Sequence, residues 1–321
     1  MQLIRYRAGG GAPQVGVLDG DRVRPLPGVA TMADLLARPL TWIRGACETV
    51  LGGGTLDPGD TAGTPQVSGA AQAASGARGT GPDEVPLRRI TVLVPVDGGT
   101  EVWAAGVTYE RSMHARVQES LDSADIYDRV YSAPRPELFF KSAAWRVAGP
   151  GHRVSIRADS QVDVPEPELA AVLNADGDVV GYTICNDMSS RSIEGENPLY
   201  LPQAKIYLGG CAAGPGIRPA WEVADPYGLT IEMTIRRDGG VAWTGQASTA
   251  GLRRTVTELA AFLFREDEFP AGVLLSTGTS LVPDLPFSLR EGDEIRISID
   301  GIGELVNPVV RGKDALLGYR T

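Results

Sequence analysis

Glu166 and Glu168 stand two apart in PEPELAAVL, just ahead of the apolar run Leu169 to Leu173. On a strand, residues i and i+2 project from the same face. Two carboxylates side by side at the start of a buried strand repel each other and cost desolvation energy. A divalent cation between them removes both objections. ExE pairs also occur as solvated faces of edge strands, so the pair alone leaves both readings open. The following segment, VVGYTICNDMSSRS, ends its apolar stretch at Asp187. Asp176-Gly177 between the two segments is a hairpin signal, and a hairpin returns its far end to its start. Asp187 is therefore expected beside Glu166 and Glu168 as a third oxygen ligand. Three carboxylates suit Mg2+, or Mn2+ or Ca2+ in its place. Zinc suits them less, since the chain has two histidines and three scattered cysteines.

The formal net charge is -10. An acidic chain repels phosphate backbones and anionic lipid, so neither nucleic acid nor membrane is expected as a partner. A small anionic substrate would need a local cationic centre. Besides a metal, Arg191 qualifies, four residues past Asp187, and better than Arg135. Cys47, Cys185 and Cys211 lie far apart in no CxxC pattern, which excludes a disulfide framework. No apolar leader or spanning segment is visible, and a cytoplasmic location is expected.

These residues need elements to position them. The reading divides the chain into a small N-terminal domain (1–66), a linker (67–87) and a β-rich domain (88–321). In the first, strands and a hairpin at Asp19-Gly20 lead into TMADLLARPLTWIRGACETVL. Met32, Leu35, Leu36, Leu40 and Ile43 recur there at helical spacing, with Thr31 as N-cap. VSGAAQAASGARGTGPDEVP is small, polar and aperiodic, as linkers are. Beyond it, ITVLVPV, EVWAAGV, VLLSTGTSLVP and EIRISIDGIGELVNPVV read as strands. ERSMHARVQESL and RTVTELAAFLFREDEF read as helices, and Glu194 to Leu201 as a loop that could close over a site.

PEPELAAVL, GYTICNDMSSRS and LPQAKIYLGGCAAGPGI, in that order, resemble the core of the fumarylacetoacetate hydrolase family, and GTSLVP with the closing strands resembles its last hairpins. The resemblance runs from about residue 100 to 310. It implies an α/β, β-rich fold, a mixed β-sandwich roll with a small N-terminal α+β domain. It places Glu166, Glu168 and Asp187 on the family's metal-ligand positions and Lys205 on the lysine beside the substrate. ENPLYLPQAKIY and RPELFFKSAAWRV resemble the branch that dehydrates 2-keto-3-deoxy pentonates, which adds Glu137 and Thr277 or Thr279 near the substrate. Tyr109, in GVTYERSMHA, is a further substrate-binding candidate. The sequence departs from the hydrolases at Val107, where they carry a fourth acidic ligand. It departs again at Val117, where they carry the glutamate that orients their histidine, here His114; Glu119 lies close by. A homodimer or dimer of dimers is implied by the resemblance.

The expected chemistry is that of a metal-dependent lyase acting on a small 2-oxo acid through a metal-stabilised enolate. Dehydration of a 2-keto-3-deoxy sugar acid comes first, with Lys205 or Glu137 moving the proton. The alternatives are hydrolysis of a C–C bond in an acylpyruvate or β-diketo acid, with His114 activating water, and decarboxylation of a 2-oxo diacid. A non-enzymatic scaffold would leave the carboxylate triplet without a purpose.

Overall fold

The computed structural model describes residues 1–54, 84–110 and 129–317. Most of the expected linker, 67–83, lies outside them, as does the segment holding His114, Val117 and Glu119.

Alternating and continuous apolar runs sort the strands into two main sheets. The larger contains β1 (Gln2–Ala8), β2 (Gln14–Asp19), β3 (Arg22–Pro25), β4 (Val85–Pro86), β5 (Ile90–Leu93), β6 (Glu101–Gly106) and β7 (Glu137–Ala143). It continues through β10 (Pro167–Leu173), β11 (Val179–Asp187), β13 (Cys211–Pro219) and β16 (Val273–Ser276). Its order is β4-β3-β2-β1-β13-β11-β10-β16-β6-β7, with β5 added on β1. The N-terminal strands thus extend the sheet that carries the carboxylates, through the β1–β13 pairing. The smaller sheet has the order β15-β14-β17-β18-β8. Its strands are β8 (Val154–Ile156), β14 (Thr230–Arg237), β15 (Gly240–Ser248), β17 (Glu294–Ile299) and β18 (Gly303–Arg311). A two-stranded ladder joins β9 (Asp163–Val164) to β12 (Ser189–Ser190).

Strand β10 explains why the layers stack. Ala170 and Val172 enter one core cluster with Trp42, Ile43 and Leu3, beneath the N-terminal helices. Leu169 and Ala171 enter another with Ile231, Met233, Ile295 and Ile297 of the smaller sheet. Both faces of the strand are buried, which is why it reads as an unbroken apolar run. Of these, each large aliphatic side chain, such as Leu169 or Val172, contributes roughly 1.5–3 kcal/mol by burial. The result is an α/β, β-rich mixed-sheet sandwich with a small α+β portion at its N-terminus.

The helices refine the sequence reading in two places. The first helical stretch is two helices, α1 (Met32–Leu36) and α2 (Leu40–Leu51). Thr31 does cap α1, in a reciprocal capping box with Asp34. Pro39 makes the break: it is the N-cap of α2, with ψ 146, because the residue before and at a proline resists continuing a helix. The expected loop 194–201 is largely helical, in α3 (Arg191–Glu196), a short 3-10 turn at Pro198–Tyr200 and α4 (Leu201–Lys205). Ser190 caps α3 by accepting from the Ile193 backbone. The helix expected in 254–269 forms as α5 (Val256–Leu263), capped by Thr255, and α6 (Gly312–Leu317) follows β18. No helix among the described residues is long and apolar enough to cross a membrane.

Candidate metal and substrate site

The hairpin geometry does what the spacing requires. β10 and β11 pair antiparallel, with Glu168 opposite Cys185 and Pro167 opposite Asn186. One step further, the Asp187 backbone N–H donates to the Glu166 carbonyl at 3.0 Å. The three carboxylates each place an oxygen within 4.8 Å of the others, and all three residues are buried. Ala105, Gly106, Val107, Phe139, Arg191 and Thr279 complete the narrow pocket around them.

Buried cations answer these anions. Lys205 Nζ donates to Glu166 Oε2 at 2.8 Å, to Asp187 Oδ2 at 3.0 Å and to Ser189 Oγ at 2.6 Å. Its place at the end of α4 aims it there, and its side chain is fully buried. Arg191 Nη2 donates to Glu166 Oε1 at 2.7 Å. Lys141, on β7, lies 2.5 Å from Asp187 Oδ1. It also donates to the carbonyls of Met188 and Lys205, at 2.9 and 2.5 Å. Three cations thus pair with two of the carboxylates, Glu166 and Asp187, which makes their burial tolerable.

The residues fit a divalent cation. The donor set is oxygen only. Ser276 Oγ and the Gly278 backbone N–H both donate to one oxygen of Glu168, Oε2, at 2.5 and 2.8 Å. Its other oxygen has no protein partner among the described residues and is left for a ligand. Burial, and after it the charges of Asp187 and Glu166, hold the Glu168 carboxyl well above the usual range. A cation among the three would reverse that penalty.

The other expected residues fall as follows. Tyr109 is buried, and burial, then the Glu168 charge, raise its phenol above the ordinary value. Glu137 opens β7 opposite Gly106. Its carboxylate lies over that glycine so closely that a β-carbon there would overlap it. Thr277 is fully buried, and its hydroxyl donates to the Leu169 carbonyl at 2.7 Å. Thr279 lines the pocket, and its hydroxyl donates to the Pro167 carbonyl at 3.0 Å. Both threonine hydroxyls therefore fasten the strand that carries Glu168. Val107 lines the pocket with φ 50, a left-handed conformation costly for a β-branched residue. Thr108 anchors the strained turn by donating to the Thr277 carbonyl at 2.6 Å.

The sequence reading missed Lys141, Ser189, Ser276 and the Gly278 amide. Lys141 was legible only as part of PELFFK; its contact with Asp187 joins residues far apart in sequence.

With this geometry in hand, similarity is informative. The profile for the fumarylacetoacetate (FAA) hydrolase C-terminal region matches residues 101–310. The chain belongs to the fumarylacetoacetate hydrolase family. Over 216 residues it is 50% identical to a probable 2-keto-3-deoxyxylonate dehydratase of Haloferax volcanii, covering 67% of this chain and 74% of the relative. Over 226 residues it is 42% identical to the 2-dehydro-3-deoxy-D-arabinonate dehydratase of Saccharolobus solfataricus, covering 70% of this chain and 76% of that one. A solved structure of 2-keto-3-deoxy-D-arabinonate dehydratase with magnesium and 2,5-dioxopentanoate is 32% identical. It superimposes with a TM-score of 0.72 over 97% of this chain and 99% of the other. This family's fold, and its sugar-acid dehydratase branch, are those expected from the sequence.

Proposed function

We propose that this protein is a metal-dependent dehydratase of a small 2-keto-3-deoxy sugar acid. The observation that carries the reading is the buried triplet Glu166, Glu168 and Asp187, ringed by Lys205, Lys141 and Arg191. Two dehydratases of such acids are among its relatives.

When bound, a divalent cation such as Mg2+ would be held by the three carboxylates and would polarise the 2-oxo group, making a C3 proton easier to remove. Arg191 supplies positive charge for the substrate carboxylate. Lys205 or Glu137 takes the C3 proton. A proton given to the C4 hydroxyl lets the C4–O bond break with loss of water, which leaves a C3=C4 double bond conjugated to the 2-oxo group. Loss of a proton from C5 and its return at C3 then give a C4=C5 enol, which becomes a C5 aldehyde by protonation at C4 and loss of the hydroxyl proton. Tyr109 and Thr279 are proposed to border the substrate, and Thr277 to support them through β10. His114, outside the described residues, is retained as a candidate for proton transfer.

Product analysis tests the reading. With Mg2+ present, a 2-keto-3-deoxy pentonate should lose one water with its carbon skeleton intact. Cleavage of an acylpyruvate into two carbon fragments, with no dehydration, would replace this reading by C–C hydrolysis; release of carbon dioxide from a 2-oxo diacid would replace it by decarboxylation. We also propose a cytoplasmic homodimer or dimer of dimers, supported by the family resemblance. Sedimentation of the purified chain as a monomer at micromolar concentration would remove the oligomer.

A further inference from the structure

A second cavity, of about 590 Å³, shares no lining residue with the carboxylate pocket. Trp145, Arg146, His152 and Arg153 line it, above a floor that includes Gly209 and Leu316. Among the described residues, no aspartate or glutamate lines it. In a chain of net charge -10, that is a local reversal of sign.

Arg146 is the unusual member. Its guanidinium makes no hydrogen bond or ion pair with any described residue, and its Nε is buried without a partner. The group is nonetheless held in place. Its central carbon lies 5.3 Å from the Trp145 ring centroid and 5.9 Å from that of Phe140. Stacking on aromatic faces orients the fork of donors without satisfying it. A buried donor left unpaired calls for an acceptor from outside the chain. Trp145 is 67% exposed, so its ring offers apolar surface at the cavity mouth.

The walls are rigid. The Asn307 amide, itself buried, donates to the carbonyls of Gly149 and His152, at 3.0 and 2.8 Å. The Gly151 N–H donates to the Val306 carbonyl at 2.8 Å. Gly209 has φ +76, and a β-carbon there would stand 2.6 Å from Leu316 Cδ1 and 2.8 Å from the Ser155 nitrogen. Both the backbone conformation and the close packing at this position therefore require glycine. A preformed concave site with oriented, unsatisfied donors is the form ligand pockets take.

We propose that this cavity is a second binding site, for a small organic anion whose carboxylate or phosphate engages Arg146 and whose body lies along Trp145. Arg153 adds a second positive charge to the lining, and His152 an imidazole beside it. The inference does not depend on the reaction assigned to the carboxylate site.

Trp145 provides the readout. Sodium benzoate and inorganic phosphate would be titrated separately while its fluorescence is followed, against sodium chloride at matched ionic strength. Either probe should give a saturable change that disappears in Trp145→Phe, and the stronger one identifies the head group. In Arg146→Gln the dissociation constant should rise at least tenfold by calorimetry, while Mn2+ affinity at the carboxylate triplet is unchanged. A change reproduced by chloride, or equal affinity in Arg146→Gln, would overturn the proposal. So would shielding of Trp145 that grows with protein concentration, since a second copy would then fill the cavity.

Discussion

Lys141 Nζ stands 2.5 Å from Asp187 Oδ1 and, on its other side, donates to the carbonyl of Lys205. One buried ammonium therefore couples a metal-ligand candidate to the backbone of the lysine beside it. Replacing it with methionine keeps the packing and strands the Asp187 charge. Removing one partner of a buried pair costs about 3–5 kcal/mol. Lys141→Met should lose stability of that order in urea denaturation without metal. A divalent cation replaces part of the missing charge and binds only the folded chain, so Mg2+ should return much of the loss. The same loss with and without Mg2+ would show that Lys141 acts on packing alone.

Lys205 tests the chemistry more directly. It touches Glu166, Asp187 and Ser189 together. A group that moves a proton in the transition state contributes about 10²–10⁴-fold. Lys205→Ala should lower kcat by that factor while Mn2+ still binds, as seen by calorimetry. Near-normal turnover would remove Lys205 from proton transfer and leave Glu137 and His114 as the candidates.

Val107 occupies the wall of the carboxylate pocket with φ 50. Aspartate tolerates that conformation better than valine does. It would also bring a fourth carboxylate to the triplet. Val107→Asp should tighten Mn2+ binding by at least tenfold and lower the stability of the metal-free protein, where four acids then repel. Unchanged affinity in calorimetry would mean that the new carboxylate does not reach the triplet.

The triplet was legible because a hairpin converts spacing into distance. Glu166 and Glu168 share a face by alternation, and the turn at Asp176-Gly177 fixes where β11 ends, so Asp187 follows. The cationic ring was legible only in part. Lys205 and Arg191 sit beside recognisable motifs, whereas Lys141 reaches Asp187 from a strand at the far edge of the sheet order. No local pattern encodes that approach. The threonines show a different limit. Sequence placed Thr277 and Thr279 near the substrate, but a hydroxyl's partner depends on backbone geometry, and here it is the carbonyls of β10. The break between α1 and α2 was legible in principle, since Pro39 stands between two runs that otherwise share one helical period.

Asp163 gives a pH dependence away from the triplet. It lies on β9, fully buried, opposite Ser190 in the β9–β12 ladder. Burial raises its carboxyl above the ordinary value, opposed by Ser160 and by the guanidinium groups of Arg311 and Arg157. The sign follows from linkage. With the folded value above the unfolded one, the folded state binds the proton more tightly. Its stabilising contribution is full below the unfolded value, about 3.9, and fades as pH rises through the raised folded value. At neutral pH the buried carboxylate is then a net cost. Asp163→Asn, which cannot ionise, should melt higher than the parent at pH 7. Its advantage should shrink towards pH 4, where the parent's carboxyl takes up its proton. Melting curves of both proteins from pH 4 to 8 in the same Mg2+-containing buffer decide it. A parent that is the more stable at pH 7 would mean that the attraction of Arg157 and Arg311 outweighs desolvation at this site.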